Sequence, residues 1–163
     1  ILNIINFCKT ADAFQDAPFC FQHTYIALDQ YYHNSKFILT VRDSDEQWFQ
    51  SLVKFHTKLF GQGERFPTWD DLNSATYRHK GYIAKVRKKV FGISEEQNPY
   101  DEIKLKNYYN THNASVKDYF KNKSNLIVLN VSEEDSYLKF CEFIEKKPIY
   151  KEFPWENKTN TIL

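Results

Sequence analysis

The chain has 163 residues and a formal net charge of +1 from 22 basic and 21 acidic side chains, which fits one domain with a real core. Hydrophobic residues make up 42% and aromatics 17%, a globular composition and not a disordered one. The charges are mixed and form no basic arm, and no apolar run approaches the roughly 18 residues of a membrane span, so neither a nucleic-acid partner nor a membrane span is expected.

Residues 1–14 place Ile1, Ile4, Ile5, Phe7 and Cys8 in the pattern of an amphipathic helix tail, which residues 15–18 break at Pro18. Phe21, Tyr25, Leu28 and Tyr32 follow at helical spacing. The run "KFILTV" (36–41) is short, apolar and β-branched, as expected of a strand buried on both faces. Ser44 with Gln47 is a capping-box pattern and starts a helix whose apolar stripe is Trp48, Leu52, Phe55 and Leu59. Gly61 and Gly63 end it, and "QGERFPTWDD" is a loop.

Residues 70–91 and 100–120 both read as helices, the second with a stripe of Leu105, Tyr109, His112, Val116 and Tyr119. His112 on that stripe is expected to be a core or wall histidine. "NLIVLNV" (125–131) is a second buried strand, and Ser132 with Asp135 marks the start of a last helix lined by Tyr137, Cys141 and Ile144. The tail should be an ordered loop, since Ile149, Phe153 and Trp155 are too apolar to leave in water.

This order predicts an α/β domain with parallel strands, although two strands are few for such a sheet. The chain contains no Met and opens as a helix already under way, so it is expected to be incomplete at its amino terminus. Cys8, Cys20 and Cys141 are odd in number and widely spaced, which predicts three buried thiols in a reducing cytoplasm and no metal site. Asn113, Asn122, Asn130 and Asn157 each open an N-x-S/T triplet, of a kind that arises by chance in a chain rich in Asn, Lys and Ser.

Arg42 stands at the carboxyl end of the first strand, where ligands of open parallel sheets collect. Its planar fork suits two phosphate oxygens, a nearby Ser can donate a further bond, and the helix starting at Ser44 adds free N–H groups. Asp43 could orient the guanidinium or cap the helix. The alternative is that Arg42 only pairs with a carboxylate at the sheet edge.

The stretch "KFILTVRDSDEQWFQSL" (36–52) resembles the sulfotransferase family, in which a strand ends in Arg and the next helix carries Ser about two turns later. "ADAFQDAP", "VFGISEEQNPYDEIKLKNYYNTHNASVKDYF" and the carboxyl-terminal "NLIVLNVSEEDSYLKFCEFI" with "FPWEN" are similar to a microbial-type branch of it. The resemblance implies a P-loop NTPase-like fold, a three-layer parallel sheet flanked by helices, over a single domain at 1–163. It also implies sulfuryl transfer from 3′-phosphoadenosine 5′-phosphosulfate, with adenosine 3′,5′-bisphosphate as product, no metal, and a small-molecule or carbohydrate acceptor. Arg42 and Ser51 would hold the 3′-phosphate. Ser51 lies nine residues after Arg42, where many members have eight, and Gln50 occupies the eight-residue position.

The family's Lys-x-Gly-Thr-Thr type phosphosulfate loop does not occur in these residues and is expected upstream of Ile1; without it the chain is not expected to be competent. Asp16, in Asp16-Ala17-Pro18, stands roughly where cytosolic members carry a His-x-Pro whose His is the base, and is the candidate base, with His23 behind it. An Asp in that role needs partial burial. "RHKGY" (78–82) is similar to a phosphate loop of cytosolic members but falls mid-chain in a predicted helix, and is read as coincidence. The alternatives are a non-catalytic nucleotide-binding domain of the same fold and a P-loop small-molecule kinase.

Overall fold

A computed structural model describes residues 1–154. Its elements run α1 (Leu2–Phe7), α2 (Thr24–Tyr31), β1 (Phe37–Thr40), α3 (Asp45–Phe60), α4 (Trp69–Ser74), α5 (Tyr82–Lys89), α6 (Glu102–Phe120), β2 (Leu126–Leu129) and α7 (Ser136–Phe143). The chain divides into two compact units, the first from residues 1–41 and 112–152 and the second from 42–111 with 153–154.

In the first unit β1 and β2 pair in parallel, Phe37 beside Leu126 through Thr40 beside Leu129, as the α/β reading expects. Tyr25, Leu39, Val116 and Phe120 form the core, with Phe37, Val41, Tyr119 and Leu126 packed on it. Asp29 ties α2 to the start of β2: its carboxylate accepts from Tyr119 (2.9 Å), Lys123 (2.5 Å) and Asn125 (2.8 Å). Those donors hold the Asp29 carboxyl below its ordinary range against the opposing effect of its burial.

Burial of the strands on both faces is not what forms. Leu39 and Leu129 are buried, but Ile38 and Val128 are 43% and 37% exposed. Among the described residues the sheet has two four-residue strands, so each is an edge there and neither is enclosed. The last helix also starts later than Ser132. Ser132 turns back to Asn130 Oδ1 (2.7 Å), and α7 begins after Asp135, which adopts a left-handed conformation. Ile149 is 78% exposed, so it is not covered as the tail reading expects; Phe153 is half-buried, and Trp155 lies outside the described residues. Of the cysteines only Cys141 is buried; Cys8 is half-buried and Cys20 exposed.

In the second unit Phe49, Val53, Leu72, Ile83, Ala84, Ile93, Tyr100 and Leu105 make the core. The buried face of α3 is Phe49, Val53 and His56, at i, i+4 and i+7, and the expected stripe of Trp48, Leu52, Phe55 and Leu59 flanks it half-buried. The single helix expected over 70–91 is two. A capping box, Thr68 with Asp71, starts α4; the chain then turns through Arg78 and Gly81, both at positive φ, before α5. The "RHKGY" segment therefore lies largely in a turn, not inside a helix. Among the described residues no helix is long and apolar enough to cross a membrane.

Candidate functional site

The segment joining β1 to α3 is held by local bonds that follow from its sequence. Ser44 Oγ accepts from the backbone N–H of Gln47 (3.0 Å), and Gln47 reaches back: its Oε1 accepts from the Asp43 N–H (3.1 Å) and its Nε2 donates to the Asp43 carboxylate (2.6 Å). The capping box expected from Ser44 and Gln47 forms, displaced to Asp43 on its return bond, and Asp43 is oriented by Gln47. The backbone N–H of Arg42 donates to the Tyr109 hydroxyl (2.8 Å), and the Tyr109 ring stacks on Trp48 at 4.9 Å. Thus α6 fixes the backbone of Arg42 through a side chain that sequence reading assigned only to an apolar stripe.

Arg42 itself is exposed, and among the described residues its guanidinium forms no ion pair. The sheet-edge pairing alternative is not what these residues adopt. A guanidinium fork left open beside a helix amino terminus can take an oxyanion bidentately. The first turn of α3 also carries two acids, which oppose an incoming anion. Both are engaged: Asp45 accepts from Asn110 (2.7 Å), and Glu46 pairs with Lys106, which also holds Glu102. These bonds hold both carboxyls below their ordinary range, and the two acids push the Lys106 ammonium up.

Ser51 is half-buried on α3, two turns beyond Ser44 and on the same face by helical spacing. Gln50, at the eight-residue position, is exposed and donates its amide to Glu46 Oε1 (2.8 Å) along the helix surface. Arg42, Ser51 and Gln50 belong to the second unit. Asp16 belongs to the first, where it is exposed at φ 60 before the cis Ala17–Pro18 peptide, and its carbonyl accepts from the Cys20 N–H (2.9 Å). His23 caps α2 in a left-handed conformation. His112, expected as a core or wall histidine, is half-buried edge-on to Tyr25 (6.3 Å between ring centroids), and burial followed by the nearby His23 lowers its pKa.

Sequence reading missed a buried polar cluster in the second unit. Arg87 is 1% exposed; its Nη2 lies 3.1 Å from His56 Nδ1, which also lies 2.9 Å from the Tyr100 hydroxyl. The guanidinium faces the rings of Tyr100 (4.7 Å) and Phe91 (5.2 Å). The absence of acids between Leu72 and Ser94 was a legible signal that Arg87 would not find a carboxylate among its neighbours in sequence.

A family model described as a sulfotransferase domain matches residues 3–162, across both units. No curated protein and no solved structure matches the chain. The match spans nearly the whole sequence, and the strand–Arg–helix–Ser segment lies inside it: the chain belongs to the sulfotransferase-domain family.

Proposed function

We propose that this protein transfers the sulfuryl group of 3′-phosphoadenosine 5′-phosphosulfate to a hydroxyl or amine of a small-molecule or carbohydrate acceptor, on a P-loop-like three-layer α/β domain. The observation that carries the reading is the strand-end Arg42, unpaired among the described residues, in a chain matched by the family along its length. Arg42 supplies a bidentate fork for the donor's 3′-phosphate, and Ser51 a hydroxyl donor to the same group. The parallel β1–β2 pair and the helix that begins just beyond Arg42 support the fold assignment.

In the transfer the acceptor oxygen or nitrogen forms a bond to sulfur while the bond from sulfur to the 5′-phosphate oxygen breaks. The electron pair leaves on adenosine 3′,5′-bisphosphate, and Asp16 takes the acceptor's proton. Positioning and charge stabilisation supply most of the acceleration, as in phosphoryl transfer. Asp16 is exposed in the free protein, so the acceptor itself has to cover it. A cytoplasmic location belongs to the same reading, in keeping with the odd number and wide spacing of Cys8, Cys20 and Cys141.

The test is transfer of label from sulfuryl-labelled donor to a panel of hydroxyl and amine acceptors by the full-length protein. Asp16→Asn is expected to lower transfer at least 100-fold and to leave binding of adenosine 3′,5′-bisphosphate unchanged. Full transfer by that variant would remove Asp16 as the base. Nucleotide binding without transfer to any acceptor would leave a binding domain in place of an enzyme.

A further inference from the structure

One face of α6 is turned to the residues that follow β1. Lys106, Tyr109 and Asn110 stand at i, i+3 and i+4, and each engages the segment 42–46. Lys106 pairs with Glu46, Asn110 donates to Asp45 (2.7 Å), and the Tyr109 hydroxyl accepts from the Arg42 N–H (2.8 Å). The Tyr109 ring is held in turn, stacked on Trp48 with 4.9 Å between centroids and 20° between planes. The hydroxyl is therefore placed by a helix and not by a loop.

The backbone at Arg42 is where such a partner matters. The Val41 N–H donates to the Leu129 carbonyl (2.8 Å) at the end of the strand pair, and the Asp43 N–H donates to Gln47 Oε1 (3.1 Å) at the start of α3. The Arg42 N–H between them is served by neither the sheet nor the helix. In an exposed residue water satisfies such a donor, so stability alone does not call for a tyrosine 67 positions away. What the bond adds is fixity. With the N–H groups of 41, 42 and 43 all held, only the side-chain torsions of Arg42 are left to settle when an anion arrives. A bidentate fork gains most from a base that is already oriented.

We infer that Tyr109 is a positioning residue for Arg42: it acts on anion recognition through the arginine's backbone and touches no ligand itself. That the anion is the donor's 3′-phosphate rests on the sulfotransferase reading; the action of Tyr109 through Arg42 does not.

The experiment is calorimetric titration of the full-length protein with adenosine 3′,5′-bisphosphate and adenosine 5′-monophosphate, in wild type, Tyr109→Phe, Arg42→Ala and the double variant. Phenylalanine keeps the ring on Trp48 and removes only the oxygen. Tyr109→Phe is expected to lower the preference for the bisphosphate about fivefold, and the same substitution in the Arg42→Ala background to change nothing further. An unchanged preference in Tyr109→Phe, or a loss that persists in the Arg42→Ala background, would overturn the assignment. A wild type that prefers neither nucleotide would count against the 3′-phosphate reading, and inorganic pyrophosphate titrated into the same four proteins then decides Tyr109. Pyrophosphate affinity that falls in Tyr109→Phe only while Arg42 is present upholds the assignment; affinity that ignores Tyr109→Phe, or no binding, overturns it.

Discussion

Arg87 has five donors and no acceptor, so the atom of His56 that faces it has to be a lone pair. Nδ1 of His56 is therefore unprotonated and accepts from Arg87, with the Tyr100 hydroxyl 2.9 Å from the same atom, and the imidazole is the neutral Nε2–H tautomer. Burial, with Arg87 second, lowers the His56 pKa to about 3, and burial pushes the Tyr100 hydroxyl up to about 12. The sign follows from linkage. Between about pH 6.5 and pH 3 the unfolded chain binds a proton at His56 that the folded chain refuses, so stability falls as pH falls through that window. Wild type is expected to lose about 2 kcal/mol more than His56→Gln between pH 7.5 and pH 5 in urea unfolding, since glutamine keeps an acceptor and a donor without titrating. Equal losses would contradict a His56 held neutral in the folded chain. At this scale the sequence was legible where local chemistry decides, as at Ser44. It was not legible where a partner lies far along the chain, as for Tyr109 on Arg42, whose bond spans 67 positions.

Secondary structure followed the local signals and departed where those signals compete. The α3 start at Ser44 and its end at Gly61 were readable because a side-chain cap and a glycine are local devices. The break between α4 and α5 was not, because residues 70–91 have apolar positions that suit one helix, and the left-handed Arg78 and Gly81 give up helical geometry for the turn. The Thr68–Asp71 box fixes where α4 begins: Asp71 accepts from the Thr68 N–H (2.7 Å) and pairs with Arg65, bonds that hold its carboxyl well below the usual carboxylate range. Thr68→Ala is expected to destabilise the protein by about 1 kcal/mol in denaturant unfolding. An unchanged midpoint would mean that α4 is positioned by the burial of Leu72 alone. The stripe of α3 was misassigned by one residue, because large aromatics at Trp48 and Phe55 outweighed a histidine that is in fact buried.

For the whole molecule, the parallel pairing and the strand–Arg–helix order were readable because short apolar runs and caps are local signals that follow one another along the chain. The division into two units was not, since it depends on contacts between residues distant in the chain. Family membership rests on a match along residues 3–162, and the proposed function adds to it a role for Arg42 in recognising a 3′-phosphate. That claim separates two ligands differing by one group. In calorimetric titration the full-length protein should bind adenosine 3′,5′-bisphosphate about 10–100-fold tighter than adenosine 5′-monophosphate, as a charge-assisted phosphate contact implies. Arg42→Ala, at an exposed position that leaves the fold intact, should erase most of that difference. Equal affinity for the two nucleotides, or a preference that survives in Arg42→Ala, would contradict the assignment of Arg42 to the 3′-phosphate.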